Sequence, residues 1–249
     1  MRYSDETSPS LRDLFARGVG ALLPTGSVEQ HGPHLPVGTD AMIAEALAHA
    51  VVARLSSDCL VLPALWYGFA PHHMSFKGTV TLRADTYLAL IADISRSIFG
   101  HGVRHLVILN GHGGNIAPLR MLSADLAREC GRAPLIVTYW ETINREIHEF
   151  FAEPELVCGH ACALETSLAL HLFPQLVRRE AIPSGRSGET GPHMFETAAA
   201  FEGLDFGKFS ANGVIGDPSL ASVEVGARLF ALLVDKLTVT VAQYLRRQR

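Results

Sequence analysis

The stretch from Gly26 to Asp40, "GSVEQHGPHLPVGTD", sets Glu29, His31, His34 and Asp40 among glycines and prolines. It is too polar for a core strand and too rich in Gly and Pro for a helix. Imidazoles and carboxylates together suit Zn²⁺, Mn²⁺ or Fe²⁺. Glu29 and His31 are one residue apart, and in extended backbone i and i+2 point to the same side, so both can face one centre. Asp40 can return to that centre from the start of the next helix. A carboxylate there can bridge two ions, and paired ions roughly 3.5–4 Å apart activate water for hydrolysis. Its plainer reading is a helix N-cap. His34, after Gly-Pro, is read as supporting or structural.

Two later clusters carry the same residue types. "NGHGGN" (110–115) holds His112 in a glycine-rich turn. It offers a metal donor or, through Gly111, Gly113 and Gly114, an anion-binding nest. No Walker-type Lys–Ser/Thr follows, which weakens the nest. "CGHACALETS" (158–167) holds His160 before a helix and Glu165 within its first turns. Glu165 is either a further carboxylate ligand or a favourable charge at a helix N-terminus. His160 can shuttle protons to a leaving group. Cys158, His160 and Cys162 offer donors for a separate zinc site but lack a fourth. The cysteines read better as small buried residues.

The elements that must position these groups alternate between strand and helix. Strand-like runs cover 20–26, 59–68, 105–111 and 133–140. Helical patterns cover 40–55, 83–102, 116–130, 163–173 and about 219–247. The continuous apolar run "HLVILNG" suits a parallel strand covered on both faces. The expected fold is therefore a single α/β domain over 1–249 with a mostly parallel central sheet. The first stretch and "NGHGGN" each follow a strand, and open α/β sheets bind ligands beyond the carboxyl ends of their strands. Tyr67, His72, His73 and Lys77 after the second strand and Trp140 after the fourth are candidate substrate contacts. Segment 184–218 is loop-rich, and can close over the site or reach a neighbouring subunit. Arg186, His193 or Lys208 could bind an anionic group there.

Composition excludes some classes. Lys plus Arg is 21 and Asp plus Glu 25, a formal net charge of −4, so there is no basic footprint for nucleic acid. No apolar run reaches the roughly 18–20 residues of a membrane span. The N-terminus "MRYSDETSPSLRD" has no apolar signal region. With 4 cysteines and no such signal, the chain reads as cytoplasmic with reduced thiols.

"PTGSVEQHGPHLPVGTD", "NGHGGN", "GHACALETS" and "SANGVIGDPSLAS", in that order, resemble the creatininase (creatinine amidohydrolase) family from about Ala21 to the C-terminal helix. The resemblance implies a three-layer α/β/α fold with a mostly parallel central sheet, two divalent ions per subunit, and hydrolysis of non-peptide or unusual amide C–N bonds. It also implies homo-oligomers, often hexamers. Glu29, His31, Asp40 and His112 match the family's ligands. Asp40 would be the bridge, Glu29 and His112 would complete one ion and His31 the other. His160 matches a histidine near the reaction centre. Where this chain has "NGHGGN", creatininases acting on creatinine resemble "NGHYEN", whose Glu ligates metal. Gly114 stands at that place, so either Glu165 supplies the carboxylate or the second ion is held more weakly. Without the aromatic of that motif, creatinine is not the expected substrate.

The expected function is a metal-dependent amidohydrolase acting on a cyclic amide, a formamide or a related small nitrogenous compound. His160 would protonate the departing nitrogen and Glu165 would ligate metal or position water. The alternatives are a family metallopeptidase trimming a short cofactor-precursor peptide and a non-catalytic binding subunit that kept the fold.

Overall fold

A computed structural model describes residues 1–55, 58–188, 203 and 205–247. Four strands, β1 (Gly20–Thr25), β2 (Cys59–Val61), β3 (Leu106–Asn110) and β4 (Leu135–Thr138), form one sheet in the order β2-β1-β3-β4. Every pairing is parallel. Thr25 aligns with Asn110 and Asn110 with Thr138, so three strands end level at one edge. The helices are α1 (Ser8–Ala16), α2 (Thr39–Ala53), α3 (Ala84–Gly100), α4 (Ile116–Cys130), the short α5 (Pro154–Val157), α6 (Ala163–Leu172) and α7 (Val223–Leu245).

The alternation of side chains along the strands builds the three layers. Leu22 of β1 with Val107 and Leu109 of β3 packs on α2, α6 and α7 through Ile43, Leu47, Leu168, Leu233 and Leu237. Ala21, Leu23, Leu106 and Ile108 face the other way, onto α1, α3 and α4 through Phe15, Ile91, Phe99, Leu119 and Leu126. Burying an aliphatic side chain of this size contributes about 1.5–3 kcal/mol, so both faces hold the sheet edge rigid beneath the polar loops.

Some elements differ from the pattern along the chain. The second strand stops at Val61 instead of running to 68. The ladder ends after Leu62 N donates to the Leu22 carbonyl at 2.8 Å, and the chain meets β1 again where Leu65 faces Thr25. The last helix starts at Val223, capped by Ser222 Oγ accepting from Val225 N at 3.1 Å. A separate turn, Pro218–Leu220, precedes it. Helix α1 lies outside the helical patterns above; Thr7 at its cap and Pro9 in its first turn are its start signals. Of the loop-rich segment 184–218, residues 189–202 and 204 lie outside the described residues. Among the described residues no helix is long and apolar enough to cross a membrane.

Candidate metal centre

Separate segments meet at the carboxyl edge of the sheet. The loop after β1 carries Glu29 and His31, and the first turn of α2 carries Asp40. The turn after β3 carries His112. The bend before α6 carries His160, and the first turn of α6 carries Glu165. All of these side chains are buried. Asp40 is not the helix cap; Gly38 occupies that position, which leaves the Asp40 carboxylate free to turn inward.

Donor atoms gathered round a single ion at about 2.1 Å lie about 3.0–3.4 Å apart. His112 Nδ1 is 2.9 Å from Glu29 Oε2 and 3.0 Å from Asp40 Oδ2, while His31 Nε2 is 3.1 Å from Asp40 Oδ1 and 3.8 Å from Glu165 Oε1. Glu29, Asp40 and His112 could hold one ion, and His31, Asp40 and Glu165 another; within each set the donor atoms lie within 4.8 Å of one another. Glu29, His31 and His160 form a third such set. Despite their closeness, Glu29 Oε2, His31 Nε2 and Asp40 Oδ2 are buried without a hydrogen bond. Buried polar atoms without partners are costly, and a divalent cation would satisfy these.

The far side of each ring supports the same reading. His31 Nδ1 donates to the Glu29 carbonyl at 3.3 Å, and His112 Nε2 to the Phe69 carbonyl at 3.1 Å. Each ring therefore turns its other nitrogen to the carboxylates, the arrangement that fixes the tautomer of metal-ligating histidines.

Electrostatics make the same demand. Burial opposes a charge on His112, but Glu29 and Asp40 outweigh it and push its pKa up to about 10. Burial likewise opposes a charge on His31, and Asp40 and Glu165 lift it well above the ordinary histidine value. Burial works against ionising Asp40, yet His31 and His112 hold it far below the carboxylate range. Burial raises Glu29, with Asp40 adding to it and His112 opposing it. Protons on His31 and His112 thus supply the positive charge that three buried carboxylates require, the charge that cations would otherwise bring.

Some expected residues fall elsewhere. His73, expected to touch substrate, is buried behind Glu29, with Nε2 3.3 Å from Glu29 Oε1 and Nδ1 3.0 Å from Gln30 Nε2. It supports a carboxylate from within, because the turn Pro71–His73 folds its ring inward. Tyr67 is 48% exposed, and Lys77 is exposed; no hydrogen bond or ion pair joins either to the cluster among the described residues. Trp140 is half-buried, edge-on to Tyr139 and packed on the core. Arg186 and Lys208 are exposed, and His193 lies outside the described residues. His34 Nε2 lies 2.8 Å from Thr166 Oγ1, a supporting contact beside Glu165.

His160 sits beside the cluster. Its Nε2 donates to the Gln30 carbonyl at 2.7 Å and its Nδ1 is 3.7 Å from Glu29 Oε1. Burial and the nearby His31 push its pKa down to about 3, so the ring is neutral with a lone pair at Nδ1. It must accept a proton before it can give one.

The space beside Gly114 is closed. A Cβ there would stand 2.2 Å from the Phe69 carbonyl oxygen and 2.8 Å from His72 Cε1. A carboxylate side chain cannot enter by that route, and a carbonyl oxygen facing the turn argues against an anion nest. The His72 ring instead stacks on His112, with centroids 5.6 Å apart and planes 9° from parallel.

Three further residues contribute to the site. Gln30 sits between the paired ligands, and as the i+1 residue it points away from them. Phe206 lies against His72, His73 and His160, with ring centroids 5.3, 4.1 and 5.2 Å away. Asn115 accepts from Phe69 N at 3.0 Å and donates to the Gly26 carbonyl at 3.0 Å, tying three loops together. Only Asn115 had a cue, since it closes the "NGHGGN" turn.

Comparison with known proteins agrees with this geometry. The family model Creatininase (creatinine amidohydrolase) matches residues 4–241. The mycofactocin precursor peptide peptidase of Mycobacterium tuberculosis (strain CDC 1551 / Oshkosh) is 33% identical over 251 residues, covering 96% of this chain and 87% of that protein. The creatinine amidohydrolase of Pseudomonas putida is 29% identical over 238 residues, covering 89% and 88%. A crystal structure of creatinine amidohydrolase superposes with a TM-score of 0.83 at 26% identity, covering 99% of this chain and 98% of that one. With the fold, the buried donor sets and these matches together, the chain belongs to the creatininase family of hydrolases that act on carbon–nitrogen bonds.

Proposed function

We propose that this chain is a two-metal amidohydrolase that cleaves an amide-type C–N bond in a small molecule. The observation that carries the reading is the pair of donor sets sharing Asp40, with Glu29 and His112 on one side and His31 and Glu165 on the other. Glu165 then replaces the carboxylate that Gly114 cannot provide. Zn²⁺, Mn²⁺ and Fe²⁺ all suit this donor chemistry. When bound, such ions polarise a carbonyl and lower the pKa of water.

The remaining roles fall to the chain's own groups. His160, anchored through Nε2–H, accepts the proton of the attacking water at Nδ1 as the new C–O bond forms. It delivers that proton to the leaving nitrogen as the C–N bond breaks. Phe206, in the turn Phe206–Lys208, covers three imidazoles and keeps bulk water from them. Of the excursion 184–218, the turn Phe206–Lys208 thereby belongs to the wall of the site. We read the chain as one domain, cytoplasmic and assembled as a homo-oligomer, with a hexamer the first state to test by light scattering.

A second reading is a metallopeptidase trimming a short precursor peptide. It is favoured by the 33% identity to the mycobacterial peptidase over 96% of this chain. One experiment addresses both. Metal content is measured by elemental mass spectrometry on protein purified without chelator. The loaded protein is then assayed against cyclic amides, formamides and short peptides for chelator-sensitive release of amine or acid. Turnover of small amides supports the first reading and turnover of peptides alone the second. Protein that takes up no divalent metal and turns over neither class overturns both.

A further inference from the structure

We infer that Gln30 is a positioning residue that sets which nitrogens of His73 and His160 carry protons, and so which oxygen of Glu29 is left for a metal ion. Its contacts define its orientation. Gln30 Oε1 accepts from Gly32 N at 2.9 Å, so the other end of the amide is the NH₂ group, which donates to the Gly213 carbonyl at 3.0 Å. That same NH₂ group lies 3.0 Å from His73 Nδ1. An amide nitrogen only donates, so His73 Nδ1 is an acceptor and the ring proton sits on Nε2. His73 Nε2–H then faces Glu29 Oε1 at 3.3 Å. The main-chain carbonyl of Gln30 acts on the second ring: it accepts from His160 Nε2, which leaves His160 Nδ1 as a lone pair 3.7 Å from the same Glu29 Oε1.

His73 Nε2–H therefore faces Oε1 of Glu29, while Oε2 lies 2.9 Å from His112 Nδ1, in the donor set that Glu29 shares with Asp40 and His112. The residue between the two ligands orients the first by way of the turn that follows β2. Gly213, with φ +81°, is what admits this arrangement: a Cβ there would stand 1.9 Å from Gln30 Oε1. The motif "SANGVIGDPS" thereby gains a role, since its glycine supplies the carbonyl that clamps the amide. This inference rests on Glu29 being a metal ligand, but its first readout requires no metal.

The test uses full-length protein with ¹⁵N-labelled histidine. In metal-free wild type, long-range ¹H–¹⁵N correlation spectra should show His73 and His160 as Nε2–H tautomers. Gln30→Glu, which cannot donate, should switch His73 to Nδ1–H. Gln30→Met should leave His73 in a mixture and weaken Zn²⁺ binding, read by competition with a chelating indicator, by about 10–100-fold. His73→Phe should weaken Zn²⁺ binding similarly, and adding Gln30→Met to it should cost nothing more. An Nδ1–H tautomer in wild-type His73, or additive losses in the double variant, would overturn the inference. If the Gln30 variants fail to fold, the wild-type tautomer and the His73→Phe affinity still decide it. Correct tautomers together with a failure of wild type to bind Zn²⁺ would count against the metal reading alone.

Discussion

Glu165 Oε1 stands 3.8 Å from His31 Nε2, one residue in the first turn of α6 and the other in the loop after β1. Glu165 thus brings a carboxylate from a distant helix to the donor set of His31 and Asp40. Glu165→Gln keeps the shape and removes the charge. Elemental mass spectrometry should then find about one ion per subunit, with hydrolysis reduced at least ~100-fold. Two ions retained would remove Glu165 from the ligand set.

Gly114→Glu, which writes the missing carboxylate back into the turn, should not restore a ligand. Its Cβ would meet the Phe69 carbonyl oxygen at 2.2 Å, and main chain cannot swing aside as a side-chain tip can. A destabilisation of about 1–3 kcal/mol is expected, measured by urea unfolding of the metal-free protein. Unchanged stability with tighter metal binding would show that the turn after β2 yields.

Metal uptake should release protons. In the metal-free protein His112 has its pKa pushed up to about 10 and His31 is raised well above the histidine range, so both are charged at pH 7. Each must lose its proton to ligate, and affinity should fall as pH falls. Calorimetry in buffers of different ionisation enthalpy counts the protons, and a count of zero would contradict the charge assignment. Stability of the metal-free protein carries the matching sign. A histidine whose pKa is raised from 6.5 to about 10 stabilises fully below the lower value, and that contribution is lost as pH rises through the upper one.

Ala161 is held at φ +50°, between His160 and the start of α6, where its neighbour His160 pairs with Ile215. An L-residue pays about 1–2 kcal/mol in that region. Ala161→Gly should therefore leave stability unchanged or raise it by up to ~1 kcal/mol, since the strain relieved exceeds the added unfolded-state entropy of about 0.4–1 kcal/mol. Thermal unfolding checks this, and a loss above ~1 kcal/mol would mean that packing of the buried methyl group dominates.

Local sequence determined the alternation of strand and helix, the apolar faces, and the collection of polar groups after the strand ends. It also determined that Glu29 and His31 face one way, since the period of two in extended backbone is a local property. The family motifs followed from the same short stretches. Tertiary packing decided what depends on approach between distant segments. His73 looks like an exposed loop histidine in "HHMSFKG", but the turn that carries it folds under Glu29. The apolar run that begins β2 continues past Val61, but regular pairing ends there because it depends on how β1 passes beside it. Glu165 could have been no more than a charge near a helix start until α6 packed on α2 and brought it to His31. Phe206 and Gln30 belong to the site because of where the chain's later loops come to rest. That placement is set by the summed burial of two apolar cores on either side of the sheet, and no single motif encodes it.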